Sequence, residues 1–273
     1  MDILVKRISQ VFRIIYNYFK KTCFYSIFLI KPLNKKEWSK YDYTSSHFHK
    51  GKDYHDRFET LPGRKIIWKI EKKIIDIFLE KFNDLDHLDF AGGTGRVTEY
   101  LQKKTKKQYL IDSSTKMISH AKKILKNINF INEDFKNINK IDNQFDLVTA
   151  FRFFPNAEPH LRDSAMKFIS TNMKKGGYLI LNNHKNFWSL PFILKRLTFR
   201  SDGFGMTHKE VKSIVDKYNL QIVDYYSCGV LFEAEESRLI PWKLFENLEL
   251  ILHKYLRKSK LGFNILYLIK KND

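Results

Sequence analysis

From Leu61 onward, short apolar runs alternate with amphipathic stretches, the pattern required by a mostly parallel sheet covered by helices on both faces. Trp68, Ile70, Ile74, Ile75, Ile77 and Phe78 recur at helical spacing and predict a helix ahead of a first strand at His87 to Phe90. The pattern then predicts a helix near Arg96 to Lys103, a strand from Gln108 to Ile111, a helix from Ser114 to Leu125 and a strand from Asn129 to Asn132. A strand from Phe145 to Phe151 and a helix from Leu161 to Met173 follow, with Gly176-Gly177 as a turn into a strand from Tyr178 to Leu181. The last elements are a helix from Lys209 to Tyr218, a strand from Gln221 to Ser227, a helix from Trp242 to Leu256 and a strand from Phe263 to Ile269.

The beginning of the chain has a different pattern. Leu4, Ile8, Val11, Ile15 and Phe19 fall in steps of three and four on one helical face. Across residues 1–36, eight basic side chains (Lys6, Arg7, Arg13, Lys20, Lys21, Lys31, Lys35, Lys36) stand against one acid, Asp2. Two readings stay open: a basic amphipathic helix on anionic lipid, at the inner face of a membrane, or a helix packed on the domain or over its active site. The longest apolar stretch there, Thr22 to Ile30, has nine residues, fewer than half of the ~20 needed to cross a bilayer. Lysines interrupt the apolar region and no small-x-small cleavage site follows, so the segment is expected to be retained. The expected organisation is an extension and acceptor lid over 1–60, then a domain over 61–273 with a helical insertion at about 231–262.

Composition adds a charge. The 273 residues hold 49 Lys and Arg against 30 Asp and Glu, a net charge of +19, while 43% hydrophobic residues mark a folding sequence. The excess is mostly lysine in a chain also rich in Ile, Asn and Phe, which an A/T-rich coding sequence would impose. Binding to an anionic surface or nucleic acid is the other explanation, and the count does not choose. Cys23 and Cys228 stand far apart with no Cys or His partner at metal spacing, so neither a disulfide framework nor a zinc site is expected. A reducing cytoplasm fits.

The informative stretch is Asp89-Phe90-Ala91-Gly92-Gly93-Thr94-Gly95, where the first strand gives way to a helix. Glycines let a backbone turn sharply against a ligand, and the helix N-terminus offers free N–H groups. A dinucleotide fingerprint would need a third glycine where Thr98 stands, and Asp89 would repel a pyrophosphate while attracting a cationic amino group.

Here the sequence resembles the class I S-adenosylmethionine-dependent methyltransferases, whose first motif is D/E-x-G-x-G-x-G, with Ala91 at the first glycine position. Ala91 is taken to bar a positive φ. Tyr109 to Met117 resembles the second motif, in which an acid, here Asp112, accepts from both ribose hydroxyls; Ser113 and Met117 belong to the same stretch. Asp134 and Phe135 take the positions that hold the adenine, and Phe145 to Phe151 resembles the strand that ends beside the sulfonium. Met173 to Leu179 resembles the L-K-P-G-G-x-L turn, with Lys175 for proline. The resemblance implies a doubly wound seven-stranded α/β sheet of order 3-2-1-4-5-7-6, S-adenosyl-L-methionine as cofactor, and Arg64 as a partner for its carboxylate.

The acceptor is narrowed by what the chain lacks. The N/D-P-P-Y/F motif of exocyclic-amine methylation is replaced by Phe151-Arg152-Phe153-Phe154, and neither cysteine lies at a strand end suited to pyrimidine carbon methylation. His184, beyond the fifth strand, is the candidate general base. His47, His49 and His55, among Tyr41, Tyr43, Phe48 and Tyr54, read as an acceptor lid or an aromatic cluster; no metal is expected. Aromatic and apolar residues in the extension and in 231–262 point to a small or lipid-linked hydrophobic acceptor, methylated on oxygen or carbon. An RNA methyltransferase and a non-catalytic cofactor-binding subunit are the alternatives.

Overall fold

The computed structural model describes residues 51–138, 140–197, 205–231 and 242–272. The basic stripe of residues 1–36, His47, His49 and part of the expected insertion lie outside the described residues. Helices α1 (Gly51–Thr60) and α2 (Pro62–Phe78) precede β1 (Leu85–Phe90), α3 (Arg96–Leu101), β2 (Thr105–Ile111), α4 (Thr115–Ile124) and β3 (Asn129–Ile131). Then come β4 (Phe145–Ala150), α5 (Pro159–Asn172), β5 (Met173–Asn183), α6 (Leu190–Leu197), α7 (His208–Lys217), β6 (Leu220–Cys228), α8 (Trp242–Leu256) and β7 (Asn264–Lys271).

The strands form one sheet of order β3-β2-β1-β4-β5-β7-β6, as the resemblance implied. β7 runs antiparallel to both neighbours, and the other pairings are parallel. Period-two alternation divides the core. Val148, Leu179, Leu181, Ile265 and Tyr267 face α5 and α7, while Leu147, Ile180, Leu266 and Leu268 face α2, α3 and α8. The order turns back between β1 and β4, and the crevice at their carboxyl ends is where such sheets take ligands.

One expectation needs correction. Gly176 and Gly177 lie inside β5 rather than in a turn before it, because β5 starts early against Phe145 and bulges before Tyr178. A Cβ at Gly177 would meet backbone oxygens of Lys174 at 2.9 Å and Phe145 at 3.0 Å, so the pair serves close strand approach. Helix α1 ends at Thr60, where the expected extension gives way to the domain, and packs on α2 and α4, with Phe58 buried beside Trp68. Helix α6 goes unread in the sequence.

Candidate functional site

In the loop after β1, Gly92 and Gly95 stand where a side chain has no room. A Cβ at Gly92 would lie 2.7 Å from Leu110 Cγ and 2.9 Å from Asp89 Cγ; at Gly95, where φ is +79°, it would lie 2.4 Å from Leu125 Cδ1. Ala91 adopts φ of +52°, which corrects the expectation that alanine bars this geometry. A left-handed alanine costs about 1–2 kcal/mol, and the loop holds it there. Gly92 N–H donates to Ile111 O at 3.1 Å and Gly95 N–H to Gly92 O at 2.9 Å, closing the turn.

Asp89 lies beneath the loop and is buried. Its Oδ2 accepts from Thr98 N (3.2 Å) and Oγ1 (2.7 Å), and its Oδ1 from Thr149 Oγ1 (2.8 Å). Thr149 therefore accepts from His87 Nε2–H at 2.8 Å, and His87 Nδ1 accepts from Gln108 Nε2, which also donates to Thr98 O at 2.9 Å. This closed ring ties β1, β2, β4 and α3 together. Burial pushes the His87 pKa down to about 3 and raises that of Asp89 against its three donors. Asp89 lines the cavity, yet its bonds make it a brace for the loop before anything else.

Asp112 follows β2. Its Oδ2 accepts from Gly93 N at 2.9 Å and its Oδ1 from Ser114 N at 2.8 Å. A carboxylate has about four lone-pair positions, so each oxygen keeps one for a further donor. Burial raises its pKa to about 6, opposed by these two amides and assisted by Asp89. Ser114 caps α4 through Met117 N.

One cavity gathers Asp89, Ala91, Gly92, Gly93, Thr94, Asp112, Ser113, Met117, Asp134, Phe135 and Phe151. Gly95 turns the loop beneath it. Asp134 caps a short turn by accepting from Lys136 N, and Phe135 packs edge-on to Phe90 at 5.1 Å. Two expected residues are absent from the described wall. Arg64 is buried with its guanidinium over the rings of Tyr54 and Phe58. His184 is buried behind Asn156, whose amide lies 3.2 Å from His184 Nε2 and also donates to Arg152 O. The role of general base therefore does not follow from its position.

Tyr54 of α1, read from the sequence as part of an acceptor lid or aromatic cluster, lies on the wall, and two residues not singled out in the sequence join it: Arg96 at the start of α3 and Arg152 just beyond β4. Arg96 stacks on Trp68 (3.8 Å) and Phe58 (4.1 Å) and pairs with buried Glu71 at 3.4 Å. Glu71 is also held by the amides of Asn264 (2.6 Å) and Asn182 (3.3 Å). Arg152 lies over Phe58 at 4.9 Å, with its amide on Asn182 Oδ1. Arg96 directly follows the last loop glycine, a signal available in the sequence. Arg152 carried none beyond its place after a strand. His55 Nδ1 lies 3.2 Å from Thr94 Oγ1, so α1 sits directly on the glycine loop.

The fold is the class I, Rossmann-like fold of S-adenosylmethionine-dependent methyltransferases, and over residues 88–177 the chain matches a family model described as a methyltransferase domain. Among curated proteins, a demethylmenaquinone methyltransferase of Thermotoga maritima is 36% identical over 100 residues, 35% of this chain and 43% of that protein. The match thus spans less than half of that relative. The N-methyltransferase NodS of Bradyrhizobium japonicum, solved with S-adenosyl-L-homocysteine, superposes with a TM-score of 0.58 at 15% identity, over 85% of this chain and 99% of that one. A possible histamine N-methyltransferase of Thermotoga maritima gives 0.57 at 15% identity, over 81% and 95%. At such identities the structural likeness establishes the fold.

Proposed function

We propose that the chain transfers the methyl group of S-adenosylmethionine to a small or lipid-linked hydrophobic acceptor, on oxygen or carbon. The observation that carries the cofactor part is Asp112: a carboxylate already pinned by two backbone amides, with one acceptor position left on each oxygen, suits two vicinal ribose hydroxyls. Gly92 and Gly93 clear room for the ligand, and Asp134 with Phe135 would flank the adenine. Arg96, which pairs with Glu71, and Arg152 would meet the methionine carboxylate in place of Arg64.

Bound S-adenosylmethionine supplies a methyl group on a positively charged sulfur. The chain would contribute position: the loop, braced by Asp89, Thr98, Thr149 and His87, would hold the ligand without reorganising, and Tyr54 of α1 with Phe151 would keep water from the reacting end. The acceptor part is supported by the aromatic walls at Tyr54, Phe151 and Phe153, by the chain's Phe151-Arg152-Phe153-Phe154 where an amine-methylating motif would stand, and by the acceptor in the Thermotoga relative's name.

The test is transfer of a tritium-labelled methyl group from the cofactor into a lipid extract and into RNA. Label extracted into organic solvent is expected. Label in RNA would favour the nucleic-acid reading, and cofactor binding without transfer would favour a non-catalytic subunit.

A further inference from the structure

Helix α8 is patterned inside out. Its buried face carries Phe245, Glu249 and His253, and its outer face carries Leu244, Leu248, Ile251 and Tyr255, spaced four, three and four residues apart. The polar groups face inward because they are used there. Glu249 accepts from the amides of Gly229 (2.7 Å), Val230 (3.0 Å) and Leu231 (3.1 Å), and His253 Nδ1 lies 3.0 Å from Ser227 O. The outer side chains have no such account: Tyr255 is 74% exposed, Ile251 54%, Leu244 50% and Leu248 38%.

The charge around this stripe has one sign. Lys243, Lys254, Arg257, Lys258 and Lys260 lie along residues 242–262, whose two acids are both engaged, Glu249 internally and Glu246 with Lys69 at 2.6 Å. Lys258 spends part of its charge on Asp224, and Arg257 and Lys260 lie over Tyr226 and Tyr225; Lys243 and exposed Lys254, which lies by Tyr255, border the stripe along the helix. An apolar helix face bordered by lysines, ending in an amphipathic tyrosine, matches an anionic bilayer surface, where side chains insert and cations meet headgroups.

We propose that the outer face of α8 docks the protein on anionic lipid. The helix would lie in the interface, since among the described residues no helix is long and apolar enough to cross a membrane. That this docking serves delivery of the acceptor rests on the lipid-linked reading above; the docking itself does not.

The test is co-sedimentation of the full chain with phosphatidylcholine vesicles, with and without phosphatidylglycerol, for the parent and the double variant Leu248→Gln, Ile251→Gln. The parent is expected to bind only the anionic vesicles, less so at high salt. The variant should lose roughly 100-fold in partitioning, from two apolar side chains no longer inserted, with melting temperature and cofactor affinity unchanged. Equal binding by parent and variant would overturn the proposal and pass the role to residues 1–36. So would a parent that ignores vesicles, or a variant whose melting temperature drops, since the face is then covered within the fold. A parent dimer that the variant converts to monomer would make α8 a self-association face and also overturn it. Because vesicle binding is read without cofactor, its failure and failure of the methyltransferase reading are separable.

Discussion

Replacing Asp112 by asparagine sets stability against binding. The carboxylate is held by amides at 2.8 and 2.9 Å, and its pKa is raised to about 6 from an ordinary 3.8. Keeping the charge at pH 7 therefore costs the free protein about 3 kcal/mol, at about 1.4 kcal/mol per pKa unit. The folded state binds this proton more tightly than the unfolded chain. The neutral acid's contribution is thus complete below pH 3.8 and is lost as pH rises through 6. Asparagine escapes that cost but turns an NH2 group toward one of the two amide donors, at about 1–3 kcal/mol. The free variant should be as stable as the parent or up to about 2 kcal/mol more so. Affinity should move the other way. A lost charge-assisted bond to a ribose hydroxyl is worth about 1.5–3 kcal/mol, or roughly 10- to 100-fold in Kd. Calorimetric titration with S-adenosyl-L-homocysteine between pH 5 and 7, beside thermal melts, reads both. Parent affinity should weaken below about pH 6 by up to ~10-fold per unit as the carboxylate takes a proton, and the variant's profile should be flat. A variant that binds as tightly as the parent, with the same pH profile, would refute the role given to Asp112.

Three further outcomes test the frame of the site. Gly92→Ala places a methyl group 2.7 Å from Leu110 Cγ; urea denaturation should show a loss of about 1–3 kcal/mol, with cofactor binding weakened. Ala91→Gly releases the left-handed alanine at φ +52° and should raise the urea midpoint by the equivalent of up to about 1 kcal/mol, leaving affinity intact. The His87 imidazole should show the Nε2–H tautomer by nitrogen NMR and stay neutral down to about pH 4, since burial holds its pKa near 3. Because the unfolded chain binds that proton below pH 6.5, this histidine makes stability rise with pH between about 3 and 6.5.

What the sequence carried was periodic and local. Alternating runs gave the strands, and Asp89, Gly92 to Gly95 and Asp112 gave the cofactor loop, because each acts through backbone geometry that its neighbours determine. Side chains that reach across the fold were less legible. Arg64 and Arg96 are both long cations flanking the first strand, and only packing decides that Arg64 stacks on Tyr54 and Phe58 while Arg96 lines the cavity. His184 lay at a promising strand end, but Asn156 and the fold around it place it off the wall. Glu71, Asn182 and Asn264 meet from three distant elements, and no spacing in the chain announces that. Gly176-Gly177 looked like a turn because glycine pairs usually are; here they make room for a bulged strand.

The central claim is that the cavity after β1 is built for S-adenosylmethionine. Equilibrium calorimetry of the purified chain with S-adenosylmethionine, S-adenosyl-L-homocysteine and NADH tests it most directly. Saturable micromolar binding of both sulfur ligands, with none for NADH, is the expected result. A folded protein that binds neither sulfur ligand, or that prefers NADH, would contradict the account.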